Sequence, residues 1–269
     1  MSSLLEVSKL NYSWGQKKVL NDITFDIQSN HIVAILGKNG VGKTTLIKCI
    51  NRVLNPDSGT IKISTQNTSD LSFLDISKSV SYVPQSVKTS FSMDVFEVVL
   101  LGRKPHISWR VSKEDREAVS RTLRLLGLED LAFRKFDRLS GGERQRVVVA
   151  KAVVQDPSIF LFDEPTSDLD LRNQIEVMKS IKQIVSDSES EKSAIIAIHD
   201  INIAARFADR ILLLHNGKIK ADGTPTEVLT RENIAQVFEV TCEIILPTEK
   251  SPMRVLVDDE IWYKEKKRD

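Results

Sequence analysis

The chain has 269 residues, with 38 Lys and Arg against 37 Asp and Glu and a formal charge of +1. That balance argues against a protein whose main business is coating nucleic acid, because phosphate neutralisation needs an excess of basic side chains. Two distant cysteines, Cys49 and Cys242, indicate neither a disulfide framework nor a thiolate metal site.

In chain order, Met1–Lys9 lacks the apolar stretch of a signal peptide. Ile23-Thr24-Phe25-Asp26-Ile27 alternates apolar with polar, which predicts a strand with one wet face. Ile32–Leu36 is continuously apolar, the pattern of a buried parallel strand. Leu46, Ile47, Ile50, Val53 and Leu54 then recur at helical spacing and stop at Asn55-Pro56. Thr60-Ile61-Lys62-Ile63 alternates again, so an antiparallel sheet is expected beside the parallel one.

Between about Ser86 and Gln155 no buried strand is evident. Ala118, Thr122, Leu125 and Leu126 make a helical face closed by Gly127, and Glu143 to Val154 forms a helix ended by Asp156-Pro157. This predicts a helical subdomain inserted into an α/β body. Ile159–Phe162 is another buried strand, followed by the helical series Ile175, Met178, Ile181 and Val185. Ala194–Ile198 and Ile211–Leu214 add two more strands, and the repetition implies βαβ units with a covered parallel sheet. Ser186–Ser193 reads as a polar loop, Cys242–Ile245 and Arg254–Val257 as short strands, and Lys264–Asp269 as a solvated tail. The apolar runs span a few residues each, against the ~20 that cross a bilayer. The chain is therefore expected in the cytoplasm, with any membrane link made through a partner.

Gly37-Lys38-Asn39-Gly40-Val41-Gly42-Lys43-Thr44 fits GxxxxGK[ST] and sits between a buried strand and a helix. Its glycines let successive N–H groups turn inward towards phosphate oxygens, and the helix start near Gly42 adds a positive dipole end. Lys43 would reach the β- and γ-phosphates, and the Thr44 hydroxyl would join a Mg²⁺ shell. Asp163-Glu164 closes the strand Ile159–Phe162. Asp163 is placed to hold Mg²⁺ through water and Glu164 to polarise the attacking water, unless both are merely helix-capping acids. Leu139-Ser140-Gly141-Gly142-Glu143-Arg144-Gln145-Arg146 opens a second glycine-flanked helix, a second anion-seeking terminus in a chain with one complete phosphate loop.

This last segment resembles the signature motif of the ATP-binding cassette (ABC) ATPases. The order phosphate loop, Gln85, signature, Asp163-Glu164, Ser167-Asp168-Leu169-Asp170 and His199 agrees with that family over roughly residues 10 to 225. The resemblance implies a P-loop NTPase (RecA-like) α/β core with a mixed sheet at 1–85 and 156–225. It implies an antiparallel β-subdomain, a helical subdomain at 86–155 carrying the signature, and a C-terminal extension at 226–269.

Residue by residue, it implies that Gly37, Asn39, Gly40, Gly42, Lys43, Thr44 and Thr45 bind ATP. Trp14 stacks on adenine, with Tyr12 as a rival. Glu164, His199 and Gln85 are catalytic, and Thr44, Gln85 and Asp163 hold Mg²⁺. Two chains would pair as a head-to-tail homodimer, each ATP meeting Ser140, Gly141 and Gly142 of the other chain, with Asp170 in the loop between them. Lys151 and Asp168 depart from common family residues without removing a catalytic group.

Val95 to His106 is similar to the same region in ATPases of importers for iron–siderophore, haem and cobalamin, where Gly-Arg-x-Pro-His follows the glutamine. That implies integral membrane permease partners and, indirectly, an extracytoplasmic substrate-binding protein. It also implies a peripheral place on the cytoplasmic face of the membrane, without nucleic acid. Phe91, Met93 and Phe96 are either groove residues for a partner helix or subdomain core. The rival readings are a soluble ABC ATPase acting on DNA or ribosomes, and an ATP-gated regulatory module without turnover.

Overall fold

The computed structural model describes residues 3–85, 92–186 and 191–261. Phe91, the centre of the Ser186–Ser193 loop and the Lys264–Asp269 tail lie outside the described residues. Two antiparallel strands open the chain, β1 (Leu5–Trp14) and β2 (Lys17–Ile27), with Leu5 opposite Ile27 and Trp14 opposite Lys17. The alternation test misses β1 because its phase flips. Leu5 and Val7 point inward, Lys9 takes a left-handed φ of 49°, the register shifts, and Leu10 and Tyr12 point inward after it.

β3 (Ile32–Leu36) is buried at every position and leads through the glycine-rich loop into α1 (Lys43–Ile50). The helix is shorter than its apolar series suggests. Asn51 caps it, Arg52 turns left-handed at φ 54°, and Val53 is exposed. β4 (Ser58–Ile63) and β5 (Gln66–Asn67) complete a four-stranded sheet in the order β2-β1-β4-β5. α2 (Phe73–Ser79) then feeds β6 (Val80–Val83), a strand too short to declare itself by pattern.

The next described stretch is helical, with α3 (Val95–Leu100), α4 (Lys113–Leu125) and α5 (Gly141–Val154). On α4 the buried face is Val119, Thr122 and Leu123, continued by Leu126, and Leu125 is exposed. Helical spacing admits either face, so the predicted one is turned by about one position. Met93 and Phe96 are partly buried against this helical core.

β7 (Ile159–Asp163), α6 (Leu171–Val185), β8 (Ser193–Ile198), α7 (Ile201–Phe207), β9 (Arg210–His215) and β10 (Lys218–Gly223) follow. They build a six-stranded sheet in the order β10-β9-β3-β8-β7-β6, parallel except for the β10–β9 pair. Alternate residues of each strand face opposite cores. Ile32, Ala34, Leu36, Phe160 and Phe162 meet the helices on one side, whereas Val33, Ile35, Ile159 and Leu161 meet α1 and the antiparallel sheet on the other. With both faces covered, each buried aliphatic side chain contributes about 1.5–3 kcal/mol.

After the sheet, α8 (Pro225–Val228) and α9 (Arg231–Phe238) lead into a hairpin of β11 (Val240–Ile245) and β12 (Arg254–Glu260). Among the described residues no helix is long and apolar enough to cross a membrane.

Candidate active site

The parallel strands all deliver their carboxyl ends to one edge of the sheet, which is where the predicted functional groups gather. The glycine-rich loop leaves β3 beneath β9. A Cβ on Gly37 would lie 2.6 Å from the Leu214 carbonyl oxygen, so only glycine lets the loop pass there. Gly42, the N-cap of α1, has φ 115° and no side-chain cap, and the first turn of α1 carries no acid. The leading N–H groups of α1 therefore face the loop without side-chain partners.

A cavity of about 440 Å³ lies over this loop. Trp14, Asn39, Gly40, Gly42, Lys43, Thr44, Thr45, Gln85 and Glu164 line it, as does the pair Lys17 and Val19, which the sequence reading missed. The signal for Lys17 was the hairpin: a tight turn after Trp14 returns the chain with Lys17 directly opposite. Trp14 is 55% exposed, whereas Tyr12 is 8% exposed and meets the Trp14 ring edge-on, centroids 5.3 Å apart. Only the tryptophan presents a face to the cavity.

Lys43 is 5% exposed, and its Nζ donates to Gly37 O at 2.8 Å and Lys38 O at 3.3 Å, 3.8 Å from Glu164 Oε1. Burial pulls its ammonium below the ordinary lysine value, with Glu164 and Asp163 opposing. The loop's neighbouring lysine, Lys38, pairs with Glu239 at 2.8 Å, which ties the C-terminal extension to the phosphate loop.

Asp163 ends β7 at 3% exposure, accepting from Thr44 Oγ1 at 2.8 Å and from Tyr82 OH at 3.4 Å. Burial raises its carboxyl above the usual range, and the Thr44 bond counters this. Burial, aided by Asp163, pushes the Tyr82 phenol up to about 12. Tyr82 was also missed, because β6 was not recognised as a strand of this sheet.

Two neutral hydroxyls on a buried carboxylate leave its charge under-compensated. Thr44 and Asp163 present the hard oxygen donors that Mg²⁺ prefers. Among the described residues no three His, Cys, Asp or Glu side chains cluster as a protein-only metal cage. The donors present therefore fit an ion that arrives with phosphate and water ligands.

Glu164 is the hub. Its Oε2 lies 3.2 Å from Gln85 Nε2 and 3.3 Å from His199 Nδ1. Its backbone sits at φ 49°, a left-handed conformation that costs about 1–3 kcal/mol in a non-glycine residue. Glu164 N donates to Ala197 O at 3.0 Å and Ser167 Oγ donates to Glu164 O at 2.9 Å, which holds it there. The ends of β6, β7 and β8 thus deliver three polar side chains to one point.

The second glycine-flanked helix start is elsewhere. Ser140 caps α5 in a capping box, with Glu143 N donating to its hydroxyl at 3.3 Å and Ser140 N donating to Glu143 Oε2 at 2.9 Å. A Cβ on Gly142 would collide with the Asn173 side-chain amide of α6, so a larger residue there would have to displace that amide. Asp170 caps α6, accepting from Asn173 N at 2.8 Å, and is exposed. None of Ser140, Gly141, Gly142 or Asp170 lines the cavity over the phosphate loop.

A family model described as ABC transporter matches residues 20–167. An uncharacterised ABC transporter ATP-binding protein of Methanocaldococcus jannaschii is 46% identical over 242 residues, covering 90% of this chain and 93% of its own length. A petrobactin import ATP-binding protein of Bacillus anthracis is 34% identical over 257 residues, or 94% of each chain. A solved ABC transporter in an inward-facing conformation, assigned to the metal-chelate type, superposes with a TM-score of 0.83 at 28% identity, covering 96% of this chain and 97% of the other.

Proposed function

The chain belongs to the ABC transporter family, and from that premise we propose that it is the ATP-hydrolysing subunit of an importer for a metal chelate of the iron–siderophore, haem or cobalamin kind. The observation that carries the chemistry is the convergence of Gln85 and His199 on one Glu164 carboxylate oxygen, beside Lys43 and above the phosphate loop. The phosphate loop, with Gly37, Asn39, Gly40, Gly42, Thr44 and Thr45, cradles the triphosphate by its N–H groups, and Lys43 neutralises the β- and γ-oxygens. Trp14 stacks on adenine. Thr44, Gln85 and Asp163 hold Mg²⁺, which when bound offsets the charge on the phosphate oxygens. Glu164 orients and polarises the attacking water, and His199 and Gln85 fix its carboxylate and contact the γ-phosphate side.

The chain divides into a nucleotide-binding core at 1–85 and 156–225, a helical subdomain at 86–155 and an extension at 226–269. Because Ser140, Gly141 and Gly142 lie off the cavity, they serve a second copy. Two chains pair head to tail, each signature meeting the ATP held by its partner, with Asp170 at the joint. Shifting an open pair from about 1:99 to 99:1 requires ~5.5 kcal/mol, or roughly 3 kcal/mol from each of two nucleotides. A few charge-assisted hydrogen bonds to a γ-phosphate supply that. The pair works from the cytoplasmic face of the membrane on integral permease subunits, fed by an extracytoplasmic substrate-binding protein. No role requires nucleic acid.

Glu164→Gln tests the assembly. It should cut turnover about 100-fold or more while preserving ATP binding. Light scattering with ATP and Mg²⁺ should then find a dimer; a monomer under those conditions contradicts the sandwich. Retention of the chain by membranes containing its permease, and loss of retention when the permease is absent, tests the transport role.

A further inference from the structure

Gly102-Arg103-Lys104-Pro105-His106 sends no side chain into the nucleotide cavity, yet it is tied to α4 and to the end of α5, and through Gln155 to a third element. α5 ends at Val154, where the last carbonyls of a helix lack backbone partners. Arg103 Nη1 donates to Val154 O at 3.1 Å, and Arg103 Nε donates to Asp115 Oδ1 at 3.0 Å. Asp115 is 4% exposed, and its other carboxylate oxygen accepts from Ser112 N at 3.0 Å at the start of α4.

His106 Nε2 lies 2.8 Å from Gln155 O; a carbonyl only accepts, so that nitrogen carries the proton. The Gln155 side chain in turn donates to Ser77 O at 2.6 Å and Val80 O at 2.8 Å. Val80 opens β6, the strand that leads to Gln85. A Cβ on Gly102 would collide with the Lys151 carbonyl oxygen, so only glycine lets the segment lie this close to α5.

We infer that Arg103 and His106 are positioning residues that fix the far end of the signature helix, Arg103 by tying Val154 O to Asp115 of α4 and His106 by holding Gln155, whose own side chain reaches the strand delivering Gln85. α5 has 14 residues and is ~21 Å long, with Ser140-Gly141-Gly142 at its start and this clamp at its end. A rod held at one end transmits displacement to the other. The clamp therefore makes the signature and Gln85 respond together when ATP draws two chains into contact. Arginine suits the task because its planar fork serves the Asp115 carboxylate and the Val154 carbonyl simultaneously, which a lysine ammonium does less well. The inference rests on the proposed roles of Ser140–Gly142 and Gln85.

The test measures steady-state ATP hydrolysis by the full chain, per folded molecule, with melting temperature recorded alongside. A ~1 Å misplacement of catalytic geometry can cost about 100-fold, and loosening a support one helix removed should cost about tenfold. Arg103→Met should lower kcat by about that factor with KM for ATP held within about twofold. His106 is exposed, so its variants keep the fold even if Arg103→Met does not. His106→Phe should also lose kcat, and His106→Gln, which keeps an N–H donor, should recover most of it.

Unchanged kcat with a lowered melting temperature, or equal turnover in His106→Phe and His106→Gln, overturns the inference and leaves the segment a helix cap. Lys43→Ala and Glu164→Gln run beside these variants. If both are inactive while the His106 variants match the parent, only the clamp fails. If both hydrolyse ATP normally, the underlying site reading fails instead.

Discussion

Two helices in this chain begin at glycines, and their N-termini are finished in opposite ways. α1 starts at Gly42 with no side-chain cap and no acid in its first turn. Its free N–H groups face a cavity containing a buried lysine. α5 starts after Ser140 with a complete capping box, and the second of its two leading glycines lies against the Asn173 side chain. An uncapped, cation-flanked terminus binds an anion within one chain. The capping box engages the Ser140 and Glu143 N–H groups but not those of Gly141 and Gly142, and the Ser140 hydroxyl, which accepts from Glu143 N, still has a proton to donate. Such an end suits a weak, conditional contact. In the proposed function, the first terminus supplies affinity and the second responds to a ligand held by the other chain.

The sharpest attempt to break this contrast is Lys43→Ala. It should abolish binding of a fluorescent ATP analogue by the isolated chain and reduce turnover about 100-fold or more. Retained binding would mean that α1 is not the primary anion site. Ser140→Ala should behave differently, leaving analogue binding to the isolated chain unchanged while turnover falls about tenfold. The lost cap should also destabilise the fold by about 1 kcal/mol. Equal loss of binding in both variants would erase the distinction between the two termini.

Trp14→Ala should weaken ATP binding by about five- to 150-fold, since base–aromatic stacking is worth about 1–3 kcal/mol, and Trp14→Phe should restore most of it. Tyr12→Phe should leave affinity unaltered, because that ring is buried behind the tryptophan.

The smallest effect concerns the other end of α5. Backbone and side-chain hydrogen bonds from Ser112, and Arg103 beside it, hold the Asp115 carboxyl below its usual range against the opposing pull of burial. A depressed folded pKa gives stability that is fully present above the ordinary Asp value of about 3.9 and is lost as pH falls through the folded value. Asp115→Asn should therefore lower stability near neutrality and flatten its decline below about pH 4, as read by thermal melts across pH.

Much of this was legible because it is local. GxxxxGK[ST] fixes a loop by steric rules that act over eight residues, and the continuous apolar runs Ile32–Leu36, Ile159–Phe162, Ala194–Ile198 and Ile211–Leu214 all appear as strands of one sheet. What was missed depended on partners distant in sequence. β1 hid behind a bulge that reverses its alternation, and β6 is four residues long and buried only because β7 lies beside it. Without those strands, neither Lys17 nor Tyr82 could be assigned to the site.

By itself the sequence determined the phosphate loop, the acidic pair Asp163-Glu164, the glycine-flanked start of α5 and the alternation of strand and helix, because each follows from covalent spacing and local backbone preference. Tertiary structure alone decided that Trp14 rather than Tyr12 faces the cavity, that Gln85 and His199 meet on Glu164, and that Arg103 and His106 grip the end of α5. Those outcomes depend on which strands lie side by side, and that order comes from burying two faces of one sheet at the same time.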